Sequence, residues 1–179
     1  MTHHTLPVAR EVAKWVLHAG NGLYSEIDVC TEDGKSETIR STGPTPTAPA
    51  PEVLLVEDNA GDALLIGQAL TECQISVHLH IARDGEQALQ ILKEPGFTPD
   101  LIILDLNIPE ISGHTVLSLY QPKKTAVIVF TASENETDVD RALSLGAGEY
   151  VYKPLDLDDY KDAVCGMVHR WVLRDKSIS

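Results

Sequence analysis

From residue 52 onward, the apolar positions of this 179-residue chain change period at regular intervals. "EVLLVED" and "LIILD" are continuous apolar runs, the pattern of strands buried on both faces of a parallel sheet. "TAVIVFTA" and the shorter "EYVYKP" repeat it, and "SVHLHIA" alternates as a strand with one face less buried. The stretches between these strands carry apolar residues at helical spacing. "NAGDALLIGQALTEC" follows the first strand, with Asn59 placed to cap its first turn, and "DGEQALQILKE" runs as a helix until Pro95. "SGHTVLSLY" predicts a third helix. "SENETDVDRALSLG" opens as a capping box from Ser133 to Glu136 and stops at a glycine. In "DLDDYKDAVCGMVHRWVLRD", Leu157, Tyr160, Val164, Met167, Val168 and Trp171 form one helical stripe. Five strands alternating with five helices predict an α/β fold, a doubly wound parallel sheet that takes its ligands at the carboxyl ends of the strands.

The preceding residues follow another pattern. "VAREVAKWVLHAG" predicts an amphipathic helix ending near Gly20, and "LYSEIDVCTEDGKSETIRST" a β-hairpin turning at "EDGK". "STGPTPTAPAP", residues 41–51, sustains neither ladder nor helix and reads as a semi-extended linker. The chain therefore divides into an N-terminal extension at 1–40, the linker at 41–51 and the main domain at 52–179. The extension is expected to be an accessory element outside the sheet.

Composition narrows the function. Hydrophobic residues make up 43% and charged residues 23%, a soluble globular composition. A net charge of −13 repels a phosphate backbone, which argues against nucleic-acid binding. The longest apolar runs fall far short of the roughly 20 residues that span a bilayer, and no signal-like segment opens the chain, so no membrane role and a cytoplasmic location are expected. Cys30, Cys73 and Cys165 lack C-x-x-C spacing and read as reduced, largely buried thiols. "HLH" places His78 and His80 on one face of a strand, where two ligands can share an ion. No third ligand is evident, so the pair reads as an ordinary surface or core feature.

The strand ends carry the chemistry. A parallel sheet brings its carboxyl ends to one edge, which gathers Glu57, Asp58, Asp105, Thr131 and Lys153. Converging carboxylates repel unless a cation neutralises them, and an all-oxygen donor set with room for phosphate oxygens favours Mg²⁺. Asp105 then stays ionised and can attack a phosphoryl group, with Lys153 and the Thr131 hydroxyl stabilising the transferred oxygens.

"LLVEDN", "LIILDLNIPEISG", "VIVFTAS" and "GAGEYVYKP", in that order, resemble the receiver domain of two-component response regulators, the CheY-like family, from about Glu52 to the end of the chain. The resemblance implies the flavodoxin-like strand order 2-1-3-4-5. It also implies phosphorylation of Asp105 by a sensor histidine kinase, and Mg²⁺ held by Glu57, Asp58, Asp105 and the backbone carbonyl of Asn107. Thr131 and Lys153 would contact the phosphoryl group. Tyr150 would be the aromatic that turns as Thr131 moves, and output would pass to a second copy or a downstream protein. The "VEDNAGDA" opening further resembles regulators paired with phytochrome-like sensor kinases.

Ser112 and Ala60 depart from the family's usual Asp and Pro, and neither touches the chemistry. The short connection after "VLSLY" trims the third helix. A haloacid-dehalogenase-like phosphatase needs an Asp two residues after its nucleophile, where this chain has Asn107. A receiver-shaped module that is never phosphorylated usually loses one of the acidic pair, the Asp or the Lys, and all are present. Too few residues follow Lys153 for a DNA-binding domain, so a stand-alone regulator is expected, a signalling protein that assists its own phosphotransfer and dephosphorylation.

Overall fold

The computed structural model describes residues 26–30, 36–40, 50–120 and 125–173. In chain order the elements are β1 (Glu26–Cys30), β2 (Ser36–Arg40), β3 (Glu52–Val56), α1 (Ala60–Glu72), β4 (His78–Ala82) and α2 (Gly85–Leu92). They continue with β5 (Leu101–Leu104), α3 (Gly113–Leu119), β6 (Ala126–Thr131), α4 (Glu136–Ser144), β7 (Glu149–Tyr152) and α5 (Leu157–Val168), which runs into a π-helical turn (His169–Leu173).

Strands β4-β3-β5-β6-β7 are all parallel and reproduce the expected 2-1-3-4-5 order. Alternation along each strand divides the core in two. Val53, Leu55, Ile103, Ile128 and Phe130 pack under α1 and α5, against Ile66, Leu70, Val164 and Met167. Leu54, Val56, Ile102, Leu104 and Val129 face the other way, against Ala88 and Ile91 of α2, Val116 of α3 and Ala142 of α4. Truncating one of these fully buried Leu or Ile side chains to Ala costs about 2–5 kcal/mol, which is why the apolar runs specify the sheet so firmly.

Each of the five helices opens on a side chain that accepts a backbone N–H, from Asn59, Asp84, Ser112, Asn135 and Asp156. Ser112 thus fills the capping role open equally to the family's usual Asp. The expected capping box is corrected: Asn135, not Ser133, caps α4, and the Ser133 hydroxyl instead donates to Asp138 Oδ2 at 2.6 Å. In α5, Tyr160, Val164, Met167 and Val168 are buried as predicted, but Leu157 is exposed because it begins the helix beyond the reach of the core. Trp171 donates its indole N–H to Glu149 at 2.6 Å.

Two further expectations are corrected. β1 pairs antiparallel with β2 and parallel with β4, in the register Ile27↔Leu79, Asp28↔His80 and Val29↔Ile81, so the hairpin extends the sheet to seven strands. An edge strand offers unpaired N–H and C=O groups, and β1 satisfies those of β4. The helix expected before Gly20 lies outside the described residues. Cys73, which ends α1, and Cys165 in α5 are joined by a disulfide with Cα atoms 5.9 Å apart, not left as two thiols. Packing of α1 on α5 makes that pair, and spacing along the sequence carries no trace of it. Among the described residues, no helix is long and apolar enough to cross a membrane.

Candidate functional site

The sheet's own hydrogen bonds position the site. Glu57, Asp105 and Lys153 each stand one residue past a strand or at its end, and each still donates its backbone N–H to a neighbour: Glu57 to Ala82 O at 2.9 Å, Asp105 to Val56 O at 3.0 Å and Lys153 to Thr131 O at 2.8 Å. The final rung of each ladder thereby fixes the Cα from which a functional side chain departs. α3 presses from below, and a Cβ on Gly113 would lie 2.5 Å from the Asp105 carbonyl oxygen, so only glycine permits this approach.

These side chains meet at one ammonium group. Lys153 Nζ donates to Asp105 Oδ2 at 2.7 Å, Glu57 Oε2 at 2.6 Å and Asp62 Oδ2 at 2.7 Å. The other oxygen of Asp105, Oδ1, accepts from the Thr131 hydroxyl at 2.8 Å and from the Asn107 backbone N–H at 3.0 Å. Glu57, Asp105 and Thr131 are buried, and the Phe130 ring lies 6.0 Å from the ammonium.

Burial, the largest influence, disfavours charge on Glu57, and repulsion from Asp105 and Asp62 joins it against the attraction of Lys153, so the pKa rises from 4.5 to about 7. Burial also disfavours the Lys153 cation, but Glu57 and the hydrogen bonds to Asp105 and Asp62 hold its pKa above the ordinary lysine value. Three carboxylates against one ammonium leave negative charge uncompensated. The donor set is entirely oxygen, as a hard divalent cation prefers. The residues present therefore fit Mg²⁺.

Of the residues singled out in the sequence, Glu57, Asp105, Thr131 and Lys153 converge, and Asn107 joins them through its N–H. Asp58 is exposed at the edge of this group. Asp62 takes a contact with Lys153 that sequence reasoning did not foresee. Its signal was the Asn59 cap, which sets the first turn of α1 and with it the direction of Asp62. Tyr150 is half-buried, with its hydroxyl donating to the Ser133 carbonyl at 2.9 Å, and burial raises its pKa. Ser133 was also overlooked as a link: its N–H points to Thr131 Oγ at 3.4 Å while its carbonyl holds Tyr150.

A parallel 2-1-3-4-5 sheet with an acidic cluster, a threonine and a lysine at its carboxyl edge defines a receiver domain. The response regulator receiver domain model matches residues 53–165, and the chain belongs to that family. It is similar to the response regulator Rcp1 of Synechocystis, 35% identical over 69% of this chain and 90% of the relative. It is also similar to the probable methanogenesis regulatory protein FilR2 of Methanothrix harundinacea, 34% identical over 67% of this chain and 83% of that protein. Among solved structures, the phosphorylated cyanobacterial phytochrome response regulator RcpA aligns with a TM-score of 0.65 at 32% identity, covering 69% of this chain and 94% of that one. The Mn²⁺-bound form of Rcp1 aligns with a TM-score of 0.63 at 34% identity, covering 72% and 98%. The chain is a two-component response regulator of CheY-like fold.

Proposed function

We propose that Asp105 accepts a phosphoryl group from the phosphohistidine of a phytochrome-class sensor kinase. The observation that carries this reading is the division of labour on the Asp105 carboxylate. Oδ1 is held by the Asn107 N–H and the Thr131 hydroxyl, while Oδ2 faces the Lys153 ammonium. Oδ2 is therefore the nucleophile: it forms the new P–O bond as the P–N bond to the imidazole breaks, and the imidazole leaves with the electron pair and takes up a proton.

Lys153 moves from balancing carboxylates to balancing the phosphoryl oxygens, and the Thr131 hydroxyl turns from Oδ1 to one of those oxygens. Glu57, Asp58 and Asp105, with the Asn107 carbonyl, are the residues that would hold Mg²⁺, which supplies the charge neutralisation that phosphoryl transfer demands. The relatives' alignments support this assignment, Rcp1 through its Mn²⁺-bound form and RcpA through its phosphorylated form.

The signal leaves through Ser133. Withdrawal of the Thr131 hydroxyl frees the N–H of Ser133, the residue whose carbonyl anchors Tyr150, so pocket and surface are linked through one residue. Leu143, Tyr152, Leu155 and Leu157 are exposed on the neighbouring α4, β7 and the approach to α5, a face suited to a second copy or a downstream protein. Incubation with acetyl phosphate and Mg²⁺, followed by intact mass measurement, should add one phosphoryl group to the chain and none to Asp105→Asn. An unmodified wild-type chain, or an equally modified variant, removes the assignment. With beryllofluoride and Mg²⁺, NMR shifts should reach Tyr150 and α4; shifts confined to the pocket would discard the output route.

A further inference from the structure

The histidine pair on β4 has a third donor within reach. Glu52, the first residue of β3, is in register with His78, and its carboxylate reaches both imidazoles: Oε1 lies 3.1 Å from His78 Nδ1 and Oε2 lies 2.5 Å from His80 Nε2. One ligand atom from each of the three residues falls within 4.8 Å of the other two. We propose that Glu52, His78 and His80 form a second metal site, for Zn²⁺, at the amino edge of the sheet.

The donor chemistry selects the ion. Two imidazoles and a carboxylate suit Zn²⁺ and are a poor match for Mg²⁺, whereas the all-oxygen pocket at the carboxyl edge has the opposite preference. β3 separates the two, with Glu52 at one end and Glu57 just past the other, a span of about 17 Å at the usual rise of roughly 3.3 Å per residue.

The site is also built in advance. The Glu52 backbone is clamped from both sides, its N–H donating to Asp100 Oδ2 at 2.8 Å and its carbonyl accepting from the Asp100 N–H at 2.8 Å. His80 is buried, with the Phe97 ring edge-on at 4.6 Å, and it lies beside the His78 ring at 4.5 Å. Zn–N and Zn–O bonds of about 2.0–2.1 Å put tetrahedral donors roughly 3.3 Å apart, so the ion enters if the His80 contact opens by less than about 1 Å. A bound ion would join β3 to β4, the strand on which β1 docks.

The test uses the full chain, stripped of metal and held in excess Mg²⁺ so that the acidic pocket is filled. Co²⁺ titration should give tetrahedral d–d absorption at one equivalent, with Kd near or below about 1 μM, and Zn²⁺ should displace it. Affinity should fall at least about 10-fold in His80→Gln and in Glu52→Gln and stay unchanged in Asp105→Asn. In the wild-type chain, Zn²⁺ should shift the imidazole ¹⁵N signals of His78 and His80 ahead of the other five histidines, a readout that needs no variant to fold. Binding that persists in the His78→Gln/His80→Gln variant, which retains the adjacent His3 and His4, overturns the proposal. So does a Co²⁺ signal lost in Asp105→Asn, or no binding at all.

Discussion

Glu57 is the residue whose burial and charge conflict most directly. In the metal-free protein its folded pKa of about 7 lies above the ordinary 4.5, so between these values the folded state retains a proton that the unfolded chain has released. Its contribution to stability is therefore full below pH 4.5 and is lost as pH rises towards 7. Without Mg²⁺, the melting temperature should decline across that window by more than in Glu57→Gln, and Mg²⁺ should flatten the decline by favouring the ionised form; identical profiles for the two proteins would refute this account. Lys153→Met leaves three carboxylates facing one another, a loss of about 3 kcal/mol or more in metal-free denaturant titrations. Mg²⁺ should recover a larger share of stability for this variant than for the wild type. Four of these site residues were legible in the sequence because each stands at the carboxyl end of a strand, Glu57, Asp105 and Thr131 after strongly apolar runs and Lys153 after the shorter "EYVY". Asp62 and Ser133 were not: the Asn59 cap marks the first turn of α1 but does not say that Asp62 reaches Lys153, and the Ser133 link runs through its backbone, which leaves no residue-type signature.

Among the elements, the five parallel strands and their helices could be read because the apolar period switches regularly between strand and helix spacing; of the caps, Asn59 was legible, whereas that of α4 was read at Ser133 instead of Asn135. Pairings between elements were less legible. The disulfide between α1 and α5 closes a 92-residue separation, and a loop of that size contributes about 4–5 kcal/mol through the unfolded chain in the loop-entropy model. Reduction, or Cys73→Ser with Cys165→Ser, should lower the denaturant midpoint while phosphorylation of the folded protein remains intact. A midpoint indifferent to reductant would show that the two sulfurs contribute nothing as a bond. The third ligand of the histidine pair was concealed in the same way: Glu52 is 26 residues from His78, and only the β3–β4 register brings them together.

At the scale of the molecule, the hairpin changes what the sheet exposes. Residues 41–49 of the expected proline-rich linker lie outside the described residues, and its composition says nothing about where the hairpin before it docks, since backbone pairing with β4 needs no distinctive side chains. Removing residues 1–50 should still leave a folded, phosphorylatable domain, because the described residues of both core clusters, 53–172, fill both faces of the five parallel strands. It also bares the β4 edge, so the truncated protein should self-associate more strongly in sedimentation than the full chain. Equal sedimentation of the two would mean that β1 does not shield that edge. The ladder bonds made by Glu57, Asp105 and Lys153 bear on the integrity of the pocket itself. Their amide protons are the last rungs at the carboxyl edge of the sheet, and terminal rungs exchange with solvent through local openings that leave the strand interiors paired. Fraying at that edge is enough to release them. The pocket thus opens at a smaller free energy than the fold, and Mg²⁺ bound there should slow exchange at these three amides before it slows exchange in the strand interiors.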